Sequence, residues 1–124
     1  MDREIEQGFL DHLNHTLWEW GGQPYCRHGM IETMHPFYFV VGPPRSGTTL
    51  LTQLLAYVFD LGYVTNIAAR FWDAPTTGMM LSRCILGDRP VPSFRSRYAS
   101  TDTAGDIHEF GRFWRRHFGW ESAA

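Results

Sequence analysis

The stretch YFVVGPPRSGTTLLTQLL, residues 38–55, joins an apolar run to a leucine-rich segment through a turn that holds two glycines and two prolines. The run at residues 37–41 is continuously apolar, as strands of parallel sheets are when both of their faces are buried. The leucines after the turn recur at helical spacing up to a stop at Gly62. The stretch therefore predicts a buried strand, a tight turn and a helix in succession.

The turn has the composition of an anion-binding site. A helix that starts directly after a strand presents unpaired backbone N–H groups and the positive end of its dipole at one point. Glycines at 42 and 47 let a ligand approach the backbone closely. Hydroxyl donors and one fixed positive charge complete the set: Arg45, Ser46, Thr48 and Thr49. We therefore expect phosphate or sulfate at this turn.

The spacing from Gly42 to Gly47 matches the start of a Walker A loop, but Thr48 stands where that loop needs its lysine. The chain contains no lysine at all, since its eleven basic residues are all arginines. No second apolar strand ends in a magnesium-binding aspartate either. These features disfavour a nucleoside triphosphatase or a nucleotide kinase.

The segment PRSGTTLL, residues 44–51, resembles the 5′-phosphosulfate loop of the sulfotransferase superfamily. It is most similar to the branch that includes bacterial sulfotransferases and tyrosylprotein sulfotransferases. The resemblance covers residues 37–59, and HEFGRFW at 108–114 also looks like a stretch of some bacterial members. It is confined to the N-terminal portion of the family's domain.

This resemblance implies the donor 3′-phosphoadenosine 5′-phosphosulfate and no metal. Its binding residues would be Pro44, Arg45, Ser46, Gly47, Thr48 and Thr49, with Arg45 also neutralising charge at the bridging oxygen and the sulfuryl group. Sulfotransferases use a histidine or a glutamate to take the proton of the acceptor. The residues that qualify are His108 and Glu109, with Asp73 as a further candidate.

The predicted fold class is α/β: a P-loop-type parallel sheet flanked by helices, in one domain that spans residues 1–124. Only two strands are evident, at 37–41 and 63–66, and two strands do not make a stable sheet of this type. The sheet is thus expected to be incomplete in this chain. Its other strands would come from another chain, as in a homo-oligomer, or from a missing C-terminal portion.

Three further helices are predicted. One follows Asp2 and stops at Gly21, with Ile5, Phe9, Leu13, Leu17 and Trp20 as its apolar face. A second begins at Pro75 and closes at Gly87, with its methionines as core filler. A third spans residues 108–118 with an interruption at Gly111. Residues 21–33 and 88–105 are predicted to be loops.

The net charge and the apolar runs of the sequence bear on nucleic-acid binding and on membrane insertion. The formal net charge of −2 gives no general attraction to nucleic acid, and no run approaches the roughly 18 apolar residues of a membrane span. We therefore expect a soluble, cytoplasmic protein. Cys26, His28 and His35 lack the paired spacing of zinc sites, so no metal is expected there.

The sequence leaves two functions open. The first is a sulfotransferase that acts on a hydroxyl or amine acceptor of unknown identity, which could be a small molecule, a carbohydrate or a peptide. The second is a truncated, non-catalytic module that keeps the anion- or nucleotide-binding turn or acts in protein interaction. In that case the aromatic C-terminal segment would need burial against a partner.

Overall fold

Helices carry most of the regular structure in the computed structural model, which describes residues 2–20, 36–97 and 100–119. In chain order they are α1 (Arg3–Glu19), α2 (Thr48–Phe59), α3 (Pro75–Leu86) and α4 (Gly111–Phe118). A short 3-10 helix at Ala68–Arg70 precedes α3 and packs against it. The strands β1 (Ser96–Arg97) and β2 (Ser100–Thr101) form an antiparallel pair.

The predicted parallel P-loop sheet is wrong for the described residues. Residues 37–41 form no strand there, and residues 63–66 contribute only one antiparallel bridge, between Thr65 and Ile107. The described ranges contain a single sheet, the two-stranded β1–β2 ladder. An apolar run becomes a strand only where neighbouring strands pair with its N–H and C=O groups, and the described chain offers none to residues 37–41.

The predicted helices are confirmed, and their ends follow local capping chemistry. Asp2 caps α1 by accepting a hydrogen bond from the Glu4 N–H at 3.3 Å. Pro75 opens α3 and Gly87 closes it with a φ of 82°, a left-handed value that favours glycine. Gly111, predicted to interrupt a helix at 108–118, is instead the first residue of α4.

The side chains that these helices bury differ from the prediction. The apolar face predicted for α1 is largely exposed at Ile5, Phe9 and Trp20, whereas Asn14 is fully buried. On α3, Met79 and Met80 are exposed rather than core filler. Helical periodicity therefore located the elements but not their buried faces.

A small aromatic core joins the N- and C-terminal parts of the described chain. Its buried members are Ala69, Trp72 and Phe110. Partly buried side chains from three other places pack against them, namely Leu10, Val64, Phe113 and Trp114. The rings of Phe110 and Phe113 are stacked with centroids 4.6 Å apart, which joins the residue before α4 to the first turn of that helix.

The loop at residues 21–33 and the site excluded at Cys26, His28 and His35 lie outside the described residues. Among the helices that are described, none is both long enough and apolar enough to cross a membrane.

Candidate functional site

The turn before α2 has a backbone built for close approach. Arg45 has a φ of 63° and Gly47 a φ of 86°, so two of its residues are left-handed. A left-handed arginine costs about 1 kcal/mol or more, since its Cβ crowds the following carbonyl. The Ser46 N–H donates to the Pro43 carbonyl at 3.3 Å and closes the turn. The chain thus reverses direction just before the helix begins.

Gly42 lies directly beneath the hydroxyl-bearing residues of the same turn. A Cβ added at Gly42 would lie 2.8 Å from Ser46 Oγ and 2.9 Å from Thr48 Cγ2, closer than real Cβ contacts. Gly42, at the N-terminal end of the turn, and Thr48, the first residue of α2, therefore lie in close contact. A Cβ at position 42 would have to displace these two side-chain atoms, so glycine favours this packing, while the close approach of a ligand at Gly42 stays a prediction.

The N-terminus of α2 is an exposed group of hydrogen-bond donors. Its first helical bond runs from the Leu51 N–H to the Gly47 carbonyl at 3.0 Å, so the amides of Thr48, Thr49 and Leu50 have no acceptor within the helix. None of the described side chains caps this end, and its first turn holds no acidic residue. Because residues 41–47 are exposed, an anion in solution has access to these donors.

The predicted base His108 is held by its own local structure. Its N–H donates to the Val64 carbonyl at 2.9 Å, and its Nδ1 accepts the Phe110 N–H at 2.8 Å. A neutral imidazole with an occupied Nδ1 carries its proton on Nε2, so that neither nitrogen is free to accept another proton. Partial burial lowers the pKa of His108. The charge of Glu109 raises this pKa, and the charge of Arg70 lowers it.

Glu109, the neighbouring candidate for the base, is exposed. Trp114 connects it to the segment before the turn. The Glu109 carbonyl accepts the indole N–H of Trp114 at 3.1 Å. The ring of Phe39 meets that indole edge-on, with centroids 6.1 Å apart. Phe39 lies three residues before Gly42, so this contact brings the start of α4 alongside the chain that leads into the turn.

Asp73, the third candidate base, is a buried anchor. Its carboxylate meets Arg116 Nε at 3.2 Å and His117 Nε2 at 3.5 Å, while its backbone N–H donates to Asn14. The carboxylate therefore ties the start of α3 to the last turn of α4. A carboxylate committed to two cationic or hydrogen-bonding partners is poorly suited to take a proton from a substrate.

Sequence reasoning missed a buried carboxylate at Asp106. It accepts hydrogen bonds from the backbone and hydroxyl of Ser93, at 2.7 and 2.6 Å, and of Thr103, at 3.2 and 2.9 Å. Burial alone would raise the pKa of Asp106, but these four bonds lower it below its ordinary value. The spacing from Thr103 to Asp106 was a local signal, whereas Ser93 lies thirteen residues away and gave none.

The same carboxylate affects Tyr63. Burial and the charge of Asp106 together raise the pKa of Tyr63 to about 12. Its hydroxyl lies 3.0 Å from the Pro90 carbonyl and 2.9 Å from that of Gly105. This network therefore organises the loop after α3.

The described residues contain no group of three or more His, Cys, Asp or Glu side chains that could hold a metal ion. Comparison of the chain with protein-family models, with curated proteins and with solved structures finds no match. The candidate site is therefore defined by its own geometry and by the sequence of the turn.

Proposed function

We propose that the chain binds 3′-phosphoadenosine 5′-phosphosulfate at residues 44–49 and transfers its sulfuryl group to a hydroxyl or amine acceptor. The observation that carries this proposal is the exposed, uncapped N-terminus of α2, which follows a turn that Gly42 allows to close against Ser46 and Thr48. The order of residues in PRSGTTLL adds the resemblance to a 5′-phosphosulfate loop. Together they favour a sulfated nucleotide over a triphosphate, which would require the missing lysine.

Each group in the turn has a role in this chemistry. The amides of Thr48, Thr49 and Leu50, with the hydroxyls of the turn, would hold the 5′-phosphate. As the acceptor oxygen or nitrogen forms its bond to sulfur, the bond from sulfur to the bridging oxygen breaks and leaves negative charge on 3′-phosphoadenosine 5′-phosphate. The guanidinium of Arg45 would stabilise that charge electrostatically, without a metal.

The proton of the acceptor must pass to a base. Of the two predicted residues, Glu109 fits better, because its carboxylate is exposed whereas His108 Nδ1 is occupied by the Phe110 N–H. Use of His108 would first require that hydrogen bond to break. We therefore assign the base to Glu109, whose carbonyl accepts the indole N–H of Trp114, the ring that Phe39 contacts edge-on.

A non-catalytic anion- or nucleotide-binding module is the second candidate. The observation in its favour is that residues 37–41 pair with no strand in the described chain, so the turn lacks the sheet that would hold it rigidly. Such a module would bind the nucleotide but would not transfer its sulfuryl group. Binding and transfer must therefore be measured separately.

Calorimetric titration with 3′-phosphoadenosine 5′-phosphate tests the binding step. We expect saturable binding. Arg45→Ala should weaken the affinity by at least about tenfold, because it removes roughly one charge-assisted contact. Arg95→Ala, which removes an exposed arginine outside the turn, serves as the matched control and should bind as the unaltered chain does. ATP with Mg²⁺ should bind more weakly than the bisphosphate.

The outcomes separate the candidates. Bisphosphate binding together with sulfuryl transfer from labelled donor to a panel of alcohols and amines supports the sulfotransferase. Binding without transfer to any acceptor supports the non-catalytic module. The absence of bisphosphate binding in a folded chain would overturn the assignment of the turn as the donor site. An equal loss of bisphosphate affinity in Arg45→Ala and Arg95→Ala would overturn it as well.

A further inference from the structure

Helix α2 buries its polar side and exposes its apolar side. Gln53 and Ala56 are its buried residues, and within the described part of the chain neither the nitrogen nor the oxygen of the Gln53 amide has a hydrogen-bond partner. The opposite face carries five apolar residues that are 44–66% exposed: Leu50, Leu51, Leu54, Tyr57 and Val58. Their spacing of one, three, three and one residues places them on one stripe of the helix. A surface helix of a folded domain normally buries its apolar face and exposes its polar face, and α2 does the opposite.

The chain that leads into the turn is exposed in the same way. Phe37, Tyr38, Phe39 and Val41 are each at least 68% exposed. None of residues 37–41 makes a backbone hydrogen bond within the described part of the chain. An extended apolar segment with unpaired N–H and C=O groups is a template for strand pairing. We call these four residues and the five exposed apolar residues of α2 the apolar surface.

The charge of this region restricts what can cover it. Between residues 36 and 59 the only charged residue is Arg45, in the turn. A partner with a charged face would lose hydration there without gaining ion pairs. The surface instead matches an equally uncharged, apolar one, and the same surface on a second copy has that property.

The size of the apolar surface also suits a dimer. Phe37, Tyr38, Phe39 and Tyr57 are 61–74% exposed, and at about 200 Å² for each aromatic side chain they alone present roughly 500 Å². The five exposed aliphatic residues bring the total to the order of the ~800 Å² that each partner contributes to a standard interface. Soluble monomers rarely expose large apolar patches, so an exposed apolar area of this order favours a covering partner.

We propose that a second copy of this chain covers the apolar surface in a twofold-symmetric dimer. A twofold interface presents the same patch on both copies, so residues 37–41 of one copy would pair antiparallel with residues 37–41 of the other. That pairing provides partners for the free backbone groups, and the leucine faces of the two α2 helices pack beside it. The dimer does not depend on the proposed donor binding, because the two share only Leu50, whose side chain would pack in the dimer while its backbone N–H would bind the phosphate.

Sedimentation equilibrium over micromolar concentrations tests the dimer. We expect the unaltered chain to be dimeric, and Val41→Asp and Leu54→Asp each to raise the dimer dissociation constant by at least about tenfold, because each buries an unpaired carboxylate at the interface. Ile85→Asp is the matched control, since Ile85 is 60% exposed on α3 outside the apolar surface. It should leave the dissociation constant unchanged.

A second measurement guards against variants that simply unfold. Hydrogen exchange of the amides at residues 37–41 in the unaltered chain should slow as protein concentration rises, because pairing protects them. A chain that stays monomeric at 100 μM or so would overturn the proposal. A dimer that neither aspartate variant weakens, or exchange at 37–41 that is independent of concentration, would overturn it equally.

Discussion

Asn14 of α1 and Asp73, which precedes α3, are joined by a buried hydrogen bond across 59 positions of sequence. The Asp73 N–H donates to Asn14 Oδ1 at 3.0 Å. The Asn14 amide nitrogen donates in turn to the Leu10 carbonyl at 2.9 Å and the Arg70 carbonyl at 2.8 Å. One side chain thus satisfies three backbone groups and fixes α1 against the segment that leads into α3.

Replacing Asn14 with leucine should destabilise the chain by about 3 kcal/mol, because the buried Asp73 N–H and Arg70 carbonyl lose their partner while side-chain volume is kept. Guanidinium unfolding followed by circular dichroism measures this change. His12→Leu makes the same replacement at an exposed position of α1 and should alter the free energy of unfolding by less than about 0.5 kcal/mol. Equal effects of the two variants would refute the role of Asn14.

Asp106 should make stability depend on acid pH. Its pKa in the folded chain lies below the ordinary value of 3.8, so folding favours the carboxylate. That contribution is complete above about pH 4 and is lost as pH falls through the lowered pKa, because the unfolded chain then binds the proton first. The difference in unfolding free energy between the unaltered chain and Asp106→Asn should therefore shrink below pH 4. A difference that stays constant from pH 7 to pH 3 would contradict this.

Gly42→Ala should impair anion binding by reshaping the turn. The new Cβ would meet Ser46 Oγ and Thr48 Cγ2, so the affinity for 3′-phosphoadenosine 5′-phosphate should fall at least about tenfold. Gly62→Ala is the matched control, since nothing lies within 4 Å of its added Cβ. Calorimetry on both variants measures the effect. If Gly42→Ala binds as tightly as Gly62→Ala, the close packing at Gly42 does not shape the site.

The imidazole of His108 should titrate below its ordinary pKa of 6.5, as burial and Arg70 together outweigh Glu109. Because the folded pKa is lowered, this group's contribution to stability is present above pH 6.5 and is lost as pH falls through the folded value. An NMR titration of the ring carbons follows it directly. Arg70→Gln should raise the measured pKa and Glu109→Gln should lower it, so shifts of the opposite sign would contradict the assignment.

The helices could be predicted from sequence because their signals are local. Asp2 caps α1, Pro75 opens α3 and Gly87 closes it, each through bonds and dihedrals set within a few residues. The turn before α2 belongs to the same class, since Gly42 and Gly47 fix its shape from within. Gly111 is an exception among the local signals, because it was predicted to interrupt a helix and is instead the first residue of α4.

The sheet and the buried polar groups could not be predicted because they depend on distant partners. Residues 37–41 have the composition of a buried strand, but the described chain supplies no strand to pair with them. Asn14 carries no local signal of burial, because its partners at 70 and 73 are far away in sequence. For His108, the bond to Phe110 N–H spans only two residues, yet composition alone does not reveal which ring nitrogen is occupied.

The most direct test of the central claim is a two-dimensional ¹H–¹⁵N NMR titration with 3′-phosphoadenosine 5′-phosphate. If residues 44–49 and the α2 N-terminus bind the nucleotide, the amides of Gly47, Thr48, Thr49 and Leu50 should show the largest, saturable shifts. Free donors that gain a phosphate acceptor change their environment most. Shifts centred elsewhere on the chain, or none in a folded spectrum, would contradict the account.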